Sequence, residues 1–131
     1  MDQNYQKALN LLGAGQLDEA ERLYRQLLQG YEDVKYILND LGVTHFYRNA
    51  YEKALGYYDA GLLVDAGFPV LHQNRGNALM QLGQTDEAIA SFYRAMETGV
   101  DKSWVIQVGH QILLKLTELD RQQEIARYWQ T

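Results

Sequence analysis

The chain has 131 residues, with 17 Asp and Glu against 12 Lys and Arg, so its net charge at neutral pH is −5. A hydrophobic fraction of 47% is enough for one buried core, which excludes a disordered chain and favours a single domain over residues 1–131. The chain contains no cysteine, which excludes disulfide scaffolds, thiolate metal sites and cysteine nucleophiles.

The charge and the N-terminal segment also bear on partners and location. An acidic balance argues against nucleic acid and against an anionic membrane surface as partners. No secretory signal begins the chain, and no apolar run approaches the roughly 18 residues of a membrane span. We therefore expect a cytoplasmic protein that binds neither nucleic acid nor a membrane.

The sequence repeats itself at a shift of 34 residues through three units, about 1–34, 35–68 and 69–102. Small, aromatic and turn residues recur at equivalent positions without an insertion. The sets in register are Ala8, Gly42 and Gly76; Gly15, Asn49 and Gly83; Ala20, Ala54 and Ala88; Tyr24, Tyr58 and Phe92; and Leu28, Leu62 and Met96. Three matching copies in one short chain indicate a genuine structural repeat.

Each unit is predicted to form two helices joined by a tight turn, because apolar residues recur three and four positions apart. The turns fall at residues that tolerate a left-handed backbone, Gly15, Asn49 and Gly83. The predicted N-caps are Asp33, Thr85 and Asp101, and the single proline, Pro69, suits the first turn of a helix. In chain order, the predicted helices are 2–14, 17–29, 33–48, 51–65, 69–82, 86–98, 102–119 and 121–130.

These units resemble the tetratricopeptide repeat, an antiparallel helix pair of 34 residues, over about residues 1–100. The most specific strings are Gly15-Gln-Leu-Asp-Glu-Ala20, Asn49-Ala-Tyr-Glu-Lys-Ala54 and Gly83-Gln-Thr-Asp-Glu-Ala88. The proline that commonly ends the family's unit is missing here, and Gly30, Gly67 and Gly99 interrupt the chain instead. The resemblance implies an all-α fold, a right-handed superhelical solenoid of antiparallel helix pairs.

The repeat register fails after residue 100. The helices at 102–119 and 121–130 are interpreted as a degenerate fourth pair that caps the stack, since solenoids need closed ends. The longer helix carries more apolar surface than the short helix after it can cover. Two interpretations stay open: a cap that buries this helix on two sides, or a homodimer or partner interface. The residues expected at such an interface are Trp104, Ile106, Leu114 and Trp129.

No catalytic or metal-binding constellation is evident. His45, His72 and His110 belong to different units, and their spacing fits no zinc motif. The first two are expected to be half-buried packing residues. Nucleotide-loop and nucleophile-elbow motifs are also missing. We therefore expect a protein that is not an enzyme and that needs no metal or cofactor.

The resemblance implies a concave surface lined by the first helix of each pair, where such solenoids bind extended partners. The expected lining is Tyr5, Gln6, Leu9, Tyr36, Asn39, Asp40, Val43, Tyr47, Gln73, Asn74, Asn77 and Gln81. Carboxamides can pair with both groups of a peptide unit, and tyrosines supply rigid contact area.

One subset of the family binds acidic C-termini of heat-shock chaperones through Lys and Arg in this groove. This chain lacks that basic set, because the matching positions are Tyr5, Leu9, Asp40, Val70 and Asn74. The expected ligand is therefore a neutral or basic peptide segment, with Asp2 and Asp40 as the only charges along the surface.

Three functions remain compatible with the sequence. The first is a non-catalytic adaptor that holds a peptide segment of a partner protein in its concave groove. The second is a regulatory or substrate-presenting module of a larger enzyme, such as the repeat arms attached to some bacterial glycosyltransferases. The third is a self-assembling scaffold. The groove would have the same composition in all three.

Overall fold

The computed structural model describes residues 3–130, and within them every side chain except those at 124, 125 and 127–130. This part of the chain forms seven α-helices and no strand. In order they are α1 (Gln3–Gly13), α2 (Leu17–Leu28), α3 (Val34–Tyr47), α4 (Tyr51–Val64), α5 (Pro69–Gln81), α6 (Thr85–Thr98) and α7 (Lys102–Gln130). The bounds of the first six helices lie within one residue of the predicted ones.

Each helix packs against the next one along the chain, which gives the pairs α1–α2, α3–α4 and α5–α6. Helix α3 also contacts α5, so the first helices of successive units lie side by side. The core runs through the whole stack instead of forming one central cluster. The predicted all-α solenoid of helix pairs is confirmed.

The small residues in register allow the two helices of a pair to cross closely. A Cβ added at Gly42 would lie 2.6 Å from Cδ1 of Tyr58, and one added at Gly76 would lie 2.7 Å from Cε1 of Phe92. Both rings are almost fully buried, so they occupy the space that a side chain at either glycine would need. The alanines of the second helices are also fully buried; they are Ala20, Ala54 and Ala88.

The three predicted tight turns share one backbone geometry. Gly15, Asn49 and Gly83 have φ values of 78°, 62° and 77°, in the left-handed region. In each turn the next residue donates its backbone N–H to a carbonyl five residues earlier, at 2.9 Å, as Ala50 does to His45. This is the Schellman arrangement, and it closes the first helix while the chain reverses.

The helix starts agree only in part with the predicted caps. Asp101 accepts a hydrogen bond from the Trp104 backbone N–H at 3.2 Å, and Pro69 begins α5, so both predictions are confirmed. Asp33 occupies the N-cap position of α3, but its side chain makes no capping hydrogen bond. The prediction for Thr85 is wrong, because the turn after Gly83 closes at Gln84 and α6 already includes Thr85.

The C-terminal pair predicted at 102–119 and 121–130 is one continuous helix, so that prediction is wrong. Residues 119–121 are Leu, Asp and Arg, and none of them ends a helix as Gly or Pro would. The backbone therefore continues as α7 to Gln130.

Helix α7 packs against α6 through one face, on which Val108 and Ile112 are buried. Trp104 is half-buried and packs over Gly99. Ile106 and Leu114 are 70% and 57% exposed, which contradicts a cap buried on two sides. The side chain of Trp129, the fourth predicted interface residue, lies outside the described residues.

Candidate functional site

Polar side chains of the first helices form a hydrogen-bonded ladder across the units. Asn74 of α5 donates from Nδ2 to Oδ1 of Asn39 on α3 at 2.7 Å, and Asn39 donates to Oδ1 of Asp40 at 3.1 Å. The hydroxyl of Tyr5 on α1 donates to Oδ2 of Asp40 at 2.8 Å. The ladder therefore ties three successive units together, and both of its bonds between units join residues 35 positions apart.

Asp40 forms the buried end of this ladder. Its side chain is only 7% exposed, and burial raises the pKa of its carboxyl, although hydrogen bonds from Tyr5 and Asn39 oppose the rise. Tyr5 is also buried and stacks on Tyr31 with ring centroids 5.5 Å apart. The expectation that Asp40 presents an accessible charge to a ligand is wrong, since the carboxylate is enclosed by its own donors.

A cavity of about 190 Å³ lies between α3 and α5 and is lined by Val43, Phe46, Tyr47, Tyr58, Asn74 and Asn77. Val43 and three aromatic rings supply apolar walls, and the polar groups come from the two asparagines and the tyrosine hydroxyls. The cavity is smaller than the roughly 300 Å³ at which pockets for drug-sized ligands begin, so it matches one side chain better than a metabolite.

The predicted lining residues thus divide into groups. Val43, Tyr47, Asn74 and Asn77 meet at the cavity, and Asn39 lies beside it in the ladder. Tyr5 and Asp40 belong to the interior, while Leu9 is half-buried against the first core cluster. The remaining predicted residues are Gln6 and Gln81, both exposed, Gln73, which donates to Oε1 of Gln111 at 3.3 Å, and Tyr36, which meets Phe68 edge-on.

Sequence reasoning missed three residues of this surface. Phe46 and Tyr58 line the cavity, and Gln111 of α7 accepts the hydrogen bond that Gln73 donates. Tyr58 is one of the aromatic residues in register, but the repeat alone did not indicate that its ring reaches the concave side.

A larger cavity, about 590 Å³, lies among α2, α3 and α4, and four of its lining residues, Glu21, Arg25, His45 and Arg48, form one charged network. Glu21 accepts hydrogen bonds from Arg48 and Arg25, and its Oε1 lies 3.1 Å from Nε2 of His45. The His45 ring stacks on Tyr57 at a centroid distance of 5.3 Å, and burial lowers the pKa of its imidazole. This network links units one and two, and we interpret it as structural.

The histidines are placed much as predicted. His45 and His72 are buried, and Nε2 of His72 lies 2.7 Å from the carbonyl oxygen of Ala66, while His110 is exposed. Among the described residues, no three metal-ligating side chains come together. No helix in the described range is both long and apolar enough to cross a bilayer.

The paired state of Glu21 predicts an acid-sensitive contribution to stability. Burial raises the pKa of its carboxyl, but the hydrogen bonds and charges of Arg48 and Arg25 outweigh burial and hold it at about 2. Because the folded pKa lies below the unfolded one, ionised Glu21 stabilises the fold near neutrality, and this stabilisation is lost as pH falls towards 2. Allowing for solvent screening, we expect a loss on the order of 1–2 kcal/mol.

The measurement is thermal unfolding from neutral pH down to about pH 3, comparing the wild type with Glu21→Gln. The variant should be less stable at neutral pH and should lose less stability on acidification. Glu19→Gln is the matched control, because Glu19 is exposed on the same helix and forms no ion pair with any described residue. Parallel acid profiles for the wild type and Glu21→Gln would contradict the assignment.

Comparison with known proteins gives both a family and a set of similar folds. Sequence models described as tetratricopeptide repeat match residues 5–70 and 70–98. No curated protein matches the chain.

Three solved structures illustrate the fold similarity. PcrH from Pseudomonas aeruginosa has a TM-score of 0.78 at 26% identity, over 88% of this chain and 89% of that chain. PcrH in complex with the chaperone-binding region of PopB has a TM-score of 0.75 at 25% identity, over 82% and 90%. The Yersinia enterocolitica type III secretion chaperone SycD, in complex with a peptide of the translocator YopD, has a TM-score of 0.80 at 20% identity, over 92% of each chain. At that identity, the likeness to SycD shows the fold alone.

Proposed function

The chain belongs to the tetratricopeptide repeat family, and from this premise we propose that it is a non-catalytic, chaperone-like module that holds a peptide segment of a partner protein. The segment lies along the concave side, across α3 and α5. One apolar side chain of the segment enters the cavity between these helices. The module acts in the cytoplasm, where a protein without cysteine is at no disadvantage.

The observation that carries this proposal is the composition and size of the concave cavity. Its apolar walls suit a hydrocarbon side chain, and its volume of about 190 Å³ suits one residue of a longer ligand. Asn77 lines the cavity, and no hydrogen bond to another described residue involves its amide. A carboxamide in that position can donate to a peptide carbonyl and accept from a peptide N–H.

The ladder beside the cavity supports the same function by keeping the first helices in register. The amide of Asn74 donates to Asn39, and the amide of Asn39 donates to Asp40. The bond between Asn74 and Asn39 fixes the spacing of α3 and α5 before a ligand binds. A surface that is already ordered loses less conformational entropy on binding than one that its ligand must order.

The charge distribution supports a neutral or basic segment. None of the six side chains at the cavity is charged, and the chain as a whole carries −5. Long-range attraction therefore favours a basic partner, while a segment with several carboxylates would be repelled and would find no cation at the cavity.

The complex of PcrH with the chaperone-binding region of PopB adds independent support. At 25% identity, a chain of nearly the same extent holds a segment of another protein. We extend that mode of binding, but not the identity of the segment, to this chain.

The test is the affinity for a segment of the native partner, obtained by affinity purification and then narrowed with overlapping synthetic peptides. We expect Tyr47→Ala with Asn77→Ala to weaken binding by about tenfold or more, since a rigid aromatic contact and a hydrogen-bonding amide are both lost. Tyr47 is 62% exposed, so the melting temperature should change little.

Tyr93→Ala is the matched control, because Tyr93 is 49% exposed on α6, a second helix. It should bind the peptide as the wild type does. Unchanged binding by the groove variant, or an equal loss in the control, would refute the proposed surface. Exclusive selection of acidic peptides would refute the charge preference.

A further inference from the structure

Helix α7 exposes an apolar face that no other described element covers. We call it the open face and define it by Ile106, His110, Leu113 and Leu114. Ile106 and Leu113 are 70% and 60% exposed. These residues lie on one side of the helix, because an α-helix has about 3.6 residues per turn and residues four or seven positions apart therefore share a face. The opposite side, with Val108 and Ile112, is buried against α6.

The repeat register identifies what the open face is. A shift of 34 residues aligns His110 with Gly76 and Leu113 with Leu79. In the third unit Gly76 lies under the ring of Phe92, and Leu79 packs with Ala88 and Phe92, so these positions face the second helix of the pair. The open face is therefore the side of a first helix that is normally covered by its own second helix.

The described residues do not supply that second helix. Thr117 stands in register with Gly83, whose φ of 77° makes the tight turn of the third unit. A β-branched residue strongly disfavours this left-handed conformation. The backbone accordingly continues as one helix to Gln130 and does not fold back over the open face.

The two ends of the stack differ in polarity, which restricts how copies of the chain could associate. At the other end, α1 exposes Gln6, Lys7 and Asn10. Head-to-tail stacking would bury the apolar open face against this polar surface. Among the described side chains of the two terminal helices, the open face of a second copy offers the matching apolar surface, and contact between identical faces gives a closed two-fold pair.

The charges of α7 favour an antiparallel pair. Lys102 stands near the start of the helix and Glu118 sixteen residues later, with His110 halfway between them. Lys102 forms no ion pair with another described residue, and Glu118 has only a long contact of 3.7 Å with exposed Lys115. In an antiparallel pair centred on His110, Lys102 of each copy lies at the same level along the helix axis as Glu118 of the other. The same alignment sets Ile106 opposite Leu114.

We propose that the open face of α7 is a self-association surface through which two copies of this chain pair antiparallel about a two-fold axis near His110. The surface is separate from the concave cavity, so the pair leaves both cavities accessible.

Light scattering coupled to size exclusion, from low micromolar to near-millimolar chain concentration, tests the pairing. The wild type should approach twice the chain mass of 15.1 kDa as concentration rises. Ile106→Lys with Leu113→Lys should remain at the single-chain mass. Leu63→Lys is the matched control, because Leu63 is 91% exposed on α4, and it should pair as the wild type does. A wild type that stays at the single-chain mass throughout, or an α7 variant that still pairs, overturns the proposal.

Charge reversal tests the antiparallel alignment without touching the apolar residues. Lys102→Glu and Glu118→Lys should each raise the dissociation constant of the pair roughly tenfold, because the two-fold symmetry makes each charge interaction occur twice in the pair. The double variant should recover most of the affinity, since it restores opposite charges. A double variant no tighter than the single ones overturns the alignment.

Discussion

Gly42→Ala should lower the free energy of unfolding by about 2–4 kcal/mol, although it adds a single methyl group. The new Cβ would lie 2.6 Å from Cδ1 of Tyr58, a ring that is only 1% exposed and cannot move towards solvent. The two helices of the second unit must separate, and the close packing along their length is lost. For a domain of this size, the melting temperature should fall by roughly 10 °C.

Gly56→Ala isolates the effect of crowding from helix propensity. Gly56 lies within α4 and has nothing within 4 Å of the position of an added Cβ. The same substitution there should raise stability by about 0.5–1 kcal/mol, because alanine favours the helix. Combining Gly42→Ala with Tyr58→Leu should recover part of the loss. Equal and small effects at both glycines would show that the predicted crossing of α3 and α4 is not close.

Ala54→Arg should have an effect at least as large, with a loss of several kcal/mol. Ala54 is fully buried on α4 in a cluster with Tyr58, Leu71 and Ala78, so the guanidinium would have neither space nor a partner. This loss is a large part of the roughly 5–15 kcal/mol that stabilises a typical domain. Urea denaturation followed by circular dichroism should therefore show a much lower midpoint.

Ala90→Arg provides the comparison, because Ala90 is exposed on α6 and the change in helix propensity is the same. That variant should unfold within about 0.5 kcal/mol of the wild type. A midpoint for Ala54→Arg close to that of Ala90→Arg would contradict the assignment of residue 54 to the crossing of the second unit.

The fold of residues 3–98 could be predicted from the sequence because the same local signals recur three times. Three residue types meet steric requirements of the helix pair: glycine or asparagine at the turn, alanine at the crossing, and an aromatic residue four positions after the alanine. Their recurrence in three units distinguishes this pattern from a chance arrangement. The C-terminal region has one copy only, so its helix break was inferred from the need for a cap. Thr117 in place of a turn glycine was the sequence signal for a continuous helix.

The candidate site could be predicted only in part. Register places residues such as Asn74 and Asn77 on the first helices, and the structure brings them to one cavity. Register does not determine how deeply a side chain is buried, however. The carboxylate of Asp40 is enclosed by donors from α1 and from its own helix. Such burial depends on the distance between neighbouring units. That distance is set by the sizes of all the side chains packed between them.

Site-specific photo-crosslinking can locate a partner segment that lies on the concave side. A photoreactive phenylalanine analogue is placed at Tyr47 or at Tyr93, two exposed tyrosines on a first and a second helix. With the purified partner segment, we expect crosslinking from position 47, and we expect an excess of unlabelled segment to abolish it. Position 93 should give little product. Crosslinking that is equal at the two positions, or stronger at 93, would contradict binding of the segment on the concave side.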